Sequence, residues 1–180
     1  MTKILFLDLD GTVRRPKSGA TFINDPYDQE LIPGVQEALS RYKDWKIIGI
    51  TNQGGVGAGF KSLEDCIIEQ RETLRTSLYI ECVYLCPDSN GRDCYFVDNH
   101  GRVVSVTDKW AKYAYLSGTY RKPNPGMVGL AIARLSAGYN YPEKIDRESC
   151  LFVGDHPEDE QCAKNAGIPF MWASEWRKDV

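Results

Sequence analysis

Apolar residues form short uninterrupted runs that are spaced along the whole chain. Runs of this kind are typical of strands that are buried on both faces of a parallel sheet, where neither side-chain direction meets water. They lie at residues 3–8, 46–51, 80–86, 150–155 and 168–173. The pattern therefore predicts five strands.

Between these runs, apolar residues recur at helical spacing and share one face of each segment. This spacing predicts helices over 33–42, 62–78, 125–135 and 157–166. Ser62, with Asp65 three residues later, is a typical N-terminal cap, and Gly167 is a typical residue at a helix end. Strands that alternate with helices predict an α/β fold with a mostly parallel five-stranded sheet and helices on both faces.

Two segments do not follow this alternation, Gly11–Ile32 and Pro87–Tyr120. The second contains two β-prone runs within 95–106 on either side of Asn99-His100-Gly101, a turn-forming sequence. We interpret it as a small hairpin. We therefore expect residues 1–180 to form one domain with an insertion at 87–120.

Composition excludes several classes of protein. The chain has 180 residues, of which 42% are hydrophobic and 26% charged, so it is neither disordered nor collagen-like. The net charge is −3, so the chain does not have the surplus of basic residues that is usual in proteins that bind bulk nucleic acid. No run suits a membrane span, and the apolar run after Lys3 is too short for a secretory signal. We expect a cytoplasmic protein with no membrane partner, and its six cysteines to be reduced and mostly buried.

Polar residues that could act in catalysis or metal binding follow the predicted strands, at the sheet edge where ligands bind in such folds. They are Asp8 and Asp10, then Thr51, then Lys122, and finally Asp155 with Asp159. Singly, each suits a turn or a helix cap, but four elements bring them to one edge in order. Two carboxylates ~4 Å apart repel by roughly 4 kcal/mol at an effective dielectric near 20. A divalent cation removes that repulsion, and Mg²⁺ prefers such oxygen ligands.

The sequence resembles the haloacid dehalogenase (HAD) superfamily in all four of its motifs. The first is matched by Asp8-Leu9-Asp10-Gly11-Thr12, and the others by Thr51, Lys122 and Gly154–Asp159. The match extends from residue 3 to about 173, nearly the whole chain. The resemblance implies a three-layer, Rossmann-like fold and a phosphatase.

The resemblance also implies a role for each catalytic residue. Asp8 would attack phosphorus and form an aspartyl-phosphate, which divides one difficult hydrolysis into two displacements. Asp10 would protonate the leaving oxygen and then deprotonate the attacking water. Thr51 and Lys122 would hold the phosphoryl oxygens.

Metal and substrate ligands follow from the same resemblance. Mg²⁺ would be bound by Asp8, the carbonyl oxygen of Asp10 and Asp155, with Asp159 next to these ligands. The residues expected to bind the phosphate or the rest of the substrate are Gly11, Thr12, Asn52, Gln53 and Arg121.

Further motifs resemble one branch of the superfamily, which contains histidinol-phosphate, heptose-bisphosphate and polynucleotide 3′-phosphatases. They are Thr51-Asn52-Gln53-Gly54-Gly55, Cys86-Pro87 and Arg121–Met127. The chain also departs from this branch. Asp88 stands where many members carry a zinc-binding histidine, and Leu9 replaces an arginine of the heptose enzymes. The segment from Tyr120 is similar to the polynucleotide 3′-phosphatase version of its motif.

HAD enzymes with a lid carry it on either side of Thr51. Neither interval has room for a lid. In the interval before Thr51 a helix and a strand use about half of the residues, and in the interval after it the segment 87–120 is enough only for a hairpin. We therefore expect no separate cap domain and an open catalytic edge with 11–32 and 87–120 as its rims. The second rim carries cationic and aromatic residues that could stack nucleic-acid bases or pack the insertion onto the domain. They are Lys109, Trp110, Lys112, Tyr113, Tyr115, Tyr120 and Arg121.

The leading hypothesis is a Mg²⁺-dependent phosphomonoester hydrolase that acts on a small organic phosphate, such as a sugar phosphate or a histidinol-phosphate-like compound. The alternative substrate is a 3′-phosphate end of DNA or RNA. A non-catalytic phosphate-binding protein is disfavoured, because both Asp8 and Asp10 are present. No obligate protein partner is inferred. A structural zinc on Cys82, Cys86, Cys94 and His100 stays open, although their spacing is a weak ligand pattern.

Overall fold

Strands make up the centre of the molecule. The computed structural model describes residues 2–137 and 144–178. The strands in this part of the chain are β1 (Ile4–Leu7), β2 (Arg14–Arg15), β3 (Glu30–Leu31), β4 (Lys46–Asn52), β5 (Cys82–Cys86), β6 (Tyr95–Asp98), β7 (Val103–Ser105), β8 (Cys150–Gly154) and β9 (Phe170–Trp172). Seven of them form the main sheet, in the order β7-β6-β5-β4-β1-β8-β9.

Five of the seven strands of the main sheet pair in parallel, and they are the five that the apolar runs predict. β1 pairs in parallel with β4 on one side and with β8 on the other. The chain thus builds the sheet outward from β1 in one direction and then returns to build it in the other. The carboxyl ends of β1, β4 and β8 meet where this order reverses, which is the usual position of a ligand site.

The helices also match the predicted segments, with three additional single-turn α-helices. They are α1 (Val35–Ser40), α2 (Gly54–Gly57), α3 (Leu63–Ser77), α4 (Val106–Lys109), α5 (Gly126–Ser136), α6 (Pro157–Ala166) and α7 (Ala173–Trp176). Ser62 caps α3 by accepting a hydrogen bond from the main-chain N–H of Asp65 at 2.9 Å. Gly167 ends α6 with a φ of 67°, a left-handed conformation that favours glycine.

Helices cover both faces of the sheet, which gives three layers with a core on each side of the strands. Alternate residues of β1 serve the two cores, since successive side chains of a strand point to opposite faces. Ile4 and Phe6 pack with residues of α5 and α6, whereas Leu5 and Leu7 pack with residues of α1, α3 and α7. All four side chains are fully buried. The three-layer α/β fold expected from the sequence is confirmed.

The predicted hairpin is present, but it extends the sheet instead of forming a separate flap. β6 pairs antiparallel with β5, and β7 pairs antiparallel with β6. The main sheet therefore has seven strands, two more than the parallel set that the apolar runs predict. The short connection after Cys86 returns the chain alongside β5, and the apolar side chain of Phe96 is buried there in the core.

The other rim, Gly11–Ile32, contains a small two-stranded sheet formed by β2 and β3. Within the described ranges, no helix is long and apolar enough to cross a membrane. The cytoplasmic location, the single domain and the lack of an obligate protein partner stay predictions.

Candidate active site

Asp8 follows β1 directly, at the centre of the sheet, and only 6% of it is exposed. Its main-chain N–H donates to the carbonyl of Val153 on β8 at 2.9 Å. Oδ1 accepts a hydrogen bond from Lys122 Nζ at 2.6 Å, and Oδ2 accepts one from Thr12 Oγ1 at 3.0 Å. Burial raises the pKa of Asp8 to about 7, because the nearby charge of Lys122 offsets only part of the desolvation. The carboxylate is thus shielded from water and held on both oxygens.

Lys122 lies between two buried carboxylates. Its Nζ is 2.6 Å from Asp8 Oδ1 and 2.6 Å from Asp159 Oδ1. Burial alone would lower its pKa, but the two carboxylates outweigh burial and raise it. Asn52 fixes the main chain here: its Oδ1 accepts from the Lys122 N–H at 3.0 Å, and its Nδ2 donates to the Lys122 carbonyl at 3.1 Å. The two carboxylates therefore keep the Lys122 side chain protonated, and Asn52 holds its main chain in place.

Asp10 has a half-exposed side chain, yet both of its carboxylate oxygens have partners. Oδ1 accepts a hydrogen bond from Arg14 Nε at 2.9 Å, and Oδ2 accepts one from Gln53 Nε2 at 2.9 Å. Burial by itself would raise the pKa of Asp10. The charge of Arg14 and these hydrogen bonds together outweigh burial, so the pKa lies below its usual value. Gln53 Nε2 also donates to Thr51 Oγ1 at 2.9 Å, so one amide links Asp10 to Thr51 at the end of β4.

Gly11 allows the loop after β1 to approach Asp155 closely. Its φ is +85°, and a Cβ at this position would lie 2.2 Å from Asp155 Oδ2. Next to it, the buried Thr12 hydroxyl lies 3.0 Å from Asp8 Oδ2 and 3.4 Å from Asp155 Oδ1. A side chain at residue 11 would therefore separate the two carboxylates from one another.

Asp159 lies in the first turn of α6 and is 1% exposed. Its Oδ2 accepts a hydrogen bond from the main-chain N–H of His156 at 3.0 Å, which caps the helix, while Oδ1 meets Lys122. A Cβ at Gly154 would lie 2.3 Å from the Asp159 side chain, so glycine is required for this close packing.

Arg121 precedes Lys122 and brings a second cation to the site. Within the described ranges, its Nη1 is a buried nitrogen without a hydrogen-bond partner. A Cβ at Gly54 would lie 3.0 Å from this nitrogen, so the guanidinium packs directly on the backbone of α2. A buried donor without a partner is costly to maintain and suits an anionic ligand.

Three carboxylates form the candidate metal centre. Asp8, Asp155 and Asp159 each bring one oxygen within 4.8 Å of the others, and no other such group of acidic, cysteine or histidine residues occurs among residues 2–137 and 144–178. Lys122 balances only part of their charge, and the donors are hard oxygens, so the residues fit Mg²⁺. Both oxygens of Asp159 and both oxygens of Asp8 already accept hydrogen bonds within the protein, and Asp155 has the most exposed side chain of the three. The thiols considered for zinc form no comparable group with His100 in the described ranges.

The comparison with known families decides the relationship. The sequence model described as polynucleotide kinase 3 phosphatase matches residues 3–176. The chain belongs to this family. It is a phosphatase of the HAD superfamily, and the identification made from its motifs is confirmed.

Similar members of the wider group are named as sugar-phosphate enzymes. The chain is 30% identical over 174 residues to a D-glycero-D-manno-heptose-1,7-bisphosphate 7-phosphatase of Chlorobaculum tepidum, covering 92% of this chain and 75% of that protein. It is 28% identical to a D-glycero-alpha-D-manno-heptose-1,7-bisphosphate 7-phosphatase of Photorhabdus laumondii, covering 93% and 79% of the two chains. A D,D-heptose 1.7-bisphosphate phosphatase from B. bronchiseptica, solved with magnesium and phosphate, has the same fold, with a TM-score of 0.63, 22% identity and coverage of 94% and 79%.

Two arginines that lie at the site were not predicted from the sequence of this polynucleotide kinase 3 phosphatase family member. Arg14 is fully buried behind Asp10, and its signal was its position four residues after Asp10. Arg177 follows α7, and its Nη1 donates to the carbonyls of Gly11 at 3.2 Å and Thr12 at 2.7 Å. It thus fixes the first motif from the far end of the chain. No local pattern marks Arg177, because its partners are contributed entirely by the fold.

The rim aromatics of this family member mostly pack inward. Trp110 stacks on the guanidinium of Arg134, whose central carbon lies 3.8 Å from the ring centroid. Tyr113 and Tyr120 are buried, whereas Tyr115 is 71% exposed. Of the two uses expected for these rings, the buried ones serve the packing of the insertion, and Tyr115 is the rim aromatic with an accessible face.

Proposed function

We propose that this HAD phosphatase is a Mg²⁺-dependent phosphomonoester hydrolase that acts on a small organic phosphate, foremost a sugar phosphate, through an aspartyl-phosphate on Asp8. The observation that carries the proposal is the geometry of Asp8. One carboxylate oxygen lies 2.6 Å from Lys122 Nζ, and the other shares the Thr12 hydroxyl with Asp155. A buried carboxylate held in this way is suited to attack a phosphorus atom from one direction.

The reaction proceeds in two displacements. Lys122, Thr51 and the free Nη1 of Arg121 hold the phosphoryl oxygens, and Asp8 attacks phosphorus while the bond to the leaving oxygen breaks. Asp10 is ionised in the free protein, because its pKa is low, and it takes up a proton when the negative charge of the bound phosphate raises that pKa; it then gives this proton to the leaving oxygen.

Water then attacks the phosphorus of the aspartyl-phosphate as Asp10 takes a proton from it, the bond between phosphorus and the Asp8 oxygen breaks, and inorganic phosphate leaves while the Asp8 carboxylate is restored. Asp8, Asp155 and the carbonyl oxygen of Asp10 would hold Mg²⁺, whose positive charge would let an anionic carboxylate approach an anionic phosphate. Asp159 keeps Lys122 in position, since its Oδ1 accepts from the ammonium at 2.6 Å.

Two observations favour a sugar phosphate. The similar enzymes of Chlorobaculum tepidum and Photorhabdus laumondii are named for a heptose bisphosphate. The net charge of −3 gives no long-range attraction for nucleic acid.

A second candidate is a 3′-phosphate end of DNA or RNA. It is favoured by the match of the polynucleotide kinase 3 phosphatase model to residues 3–176 and by the exposed ring of Tyr115 on the rim. Stacking on such a ring is a common way to bind a base without reading its sequence.

Initial rates of phosphate release distinguish the candidates. The substrates are D-glycero-D-manno-heptose 1,7-bisphosphate, histidinol phosphate and a 3′-phosphorylated oligonucleotide, each with Mg²⁺ and with a chelator. We expect the highest kcat/KM for the sugar bisphosphate and no turnover in the chelator. A higher kcat/KM for the oligonucleotide, lowered selectively by Tyr115→Ala, would reverse the order. Full activity in the chelator, or turnover of none of the three, would contradict the proposal.

A further inference from the structure

A buried ion pair lies directly behind Asp10. Arg14 on β2 is fully buried, and Glu69 on α3 is 1% exposed. Arg14 Nη2 donates to Glu69 Oε1 at 2.5 Å, while Nε donates to Asp10 Oδ1 at 2.9 Å. Arg14 Nη1 also donates to Thr73 Oγ1, one turn further along α3, at 2.5 Å. The guanidinium is thus anchored on the helix and presents one donor edge to Asp10.

A second arm completes a closed ring around the same carboxylate. Lys61 Nζ donates to Glu69 Oε2 at 2.5 Å and to Gln53 Oε1 at 3.5 Å. Gln53 Nε2 in turn donates to Asp10 Oδ2 at 2.9 Å. Glu69 therefore holds both donors that meet Asp10, one through Arg14 and one through Lys61 and Gln53.

Stability alone is a poor explanation for this ring. Removing two charges from water is expensive, and apolar side chains of similar volume often serve a core equally well. Asp10, however, stands on a loop with 47% of its side chain exposed, so packing does not fix its direction. A group that transfers a proton must be held within about 0.5 Å of its productive position and in the right direction.

We propose that Arg14, anchored by Glu69, is a positioning residue that fixes the direction of the Asp10 carboxylate toward the leaving oxygen. The inference rests on the proposed role of Asp10 as the proton donor. Loss of a proton donor slows departure of a poor leaving group far more than departure of a good one. The substrates to compare are therefore phenyl phosphate, with a poor leaving group, and 4-nitrophenyl phosphate, with a good one.

The test is the double variant Arg14→Met/Glu69→Gln, which removes both charges of the buried pair but keeps an amide oxygen that can accept from Lys61, so the second arm to Gln53 is retained. We expect kcat/KM for phenyl phosphate to fall about 100-fold and that for 4-nitrophenyl phosphate to change by less than about threefold. Thermal unfolding and circular dichroism report on the fold. The matched control is Arg75→Met/Glu72→Gln, which removes the surface ion pair of the same helix and leaves both rates unchanged.

Other outcomes separate the inference from the proposed function. If Asp10→Asn lowers both substrates equally, the role of Asp10 fails and the inference fails with it. If Asp10→Asn shows the leaving-group dependence but a folded double variant lowers both substrates equally or neither, only the inference is overturned. Should the double variant not fold, Arg14→Lys keeps the buried charge but loses the forked donor, and the same comparison on this variant decides the question.

Discussion

Lys122 neutralises only part of the negative charge that surrounds it. Its ammonium meets one oxygen each of Asp8 and Asp159, and Asp155 belongs to the same group of carboxylates. Three carboxylates and one ammonium leave an excess of negative charge in a site that is largely closed to water. Burial is the main cause of the raised pKa of Asp8, and the nearby charge of Asp159 raises it further.

Replacement of the nucleophile tests the mechanism at this scale. We expect Asp8→Asn to lower phosphate release by at least about 1,000-fold, because an amide cannot form the acyl-phosphate. The fold should persist, since the amide oxygen still accepts from Lys122 and Asp159 keeps its ion pair with that lysine. Initial rates and circular dichroism check both statements. Substantial turnover by a folded variant would contradict the role of Asp8.

The junction between β8 and α6 combines a carboxylate of the candidate metal centre with a helix cap. Asp155 follows β8 directly, with 27% of its side chain exposed, and Asp159, one turn later, is buried against Lys122. Since the two carboxylates belong to one rigid junction, their separation is set by the start of α6. Asp159 thus serves Lys122 and the helix cap, whereas Asp155 lies 3.4 Å from the Thr12 hydroxyl and 3.8 Å from His156 Nε2.

Thermal unfolding with and without Mg²⁺ tests this junction. A ligand at ~100 times its Kd stabilises the folded state by about 2.7 kcal/mol, so Mg²⁺ should raise the Tm of the wild type by several degrees. We expect Asp155→Asn to abolish most of that increase. Glu158→Gln is the matched control, because Glu158 is an exposed carboxylate in the same first turn. An unchanged Mg²⁺ response in Asp155→Asn would count against the metal centre.

The insertion is held to the sheet by an aromatic and cationic cluster. Trp110 lies between Phe96, with ring centroids 5.4 Å apart, and Arg134. We expect Trp110→Ala to destabilise the protein by about 3 kcal/mol, because it leaves a cavity between β6 and α5. Tyr115→Ala on the same rim should change stability by less than about 0.5 kcal/mol, since its ring is exposed. Urea titrations of the two variants measure this difference, and equal effects would be inconsistent with this packing.

At the scale of the whole molecule, the two cores enclose most of the cysteine thiols. Five of the six cysteines are buried, and Cys82 is partly exposed, as the preference of free cysteine for interiors predicts. Burial raises the pKa of Cys66, Cys86 and Cys162 to about 12, so very little thiolate is present near neutral pH.

Reaction with a thiol reagent reports on the integrity of both cores. At pH 8 we expect Cys82, the partly exposed thiol, to react first but slowly in the native protein, because burial raises its pKa to about 12 as well. All six cysteines should react rapidly in guanidinium chloride, and Cys82→Ser should remove the slow native reaction. Rapid reaction of several thiols in the native protein would mean that the cores open far more often than this packing allows.

The sequence by itself determined the catalytic edge and the five parallel strands. Apolar runs fully buried on both faces, such as Ile4–Leu7, are local patterns that need no knowledge of neighbours. The motif residues follow directly from strand ends, and parallel topology brings such ends together. For this reason Asp8, Thr51, Lys122 and Asp155 could be assigned to one edge before their distances were known.

Only the tertiary structure decided how these residues are held. The pair of Arg14 and Glu69 joins positions 55 residues apart, and it exists because α3 packs behind the first motif. Arg177 reaches Gly11 across almost the full chain, and Trp110 is covered because the hairpin continues the sheet. Periodicity records which face of an element is apolar, but it does not record which element packs there. A buried charge is therefore explained only once the fold supplies its partner.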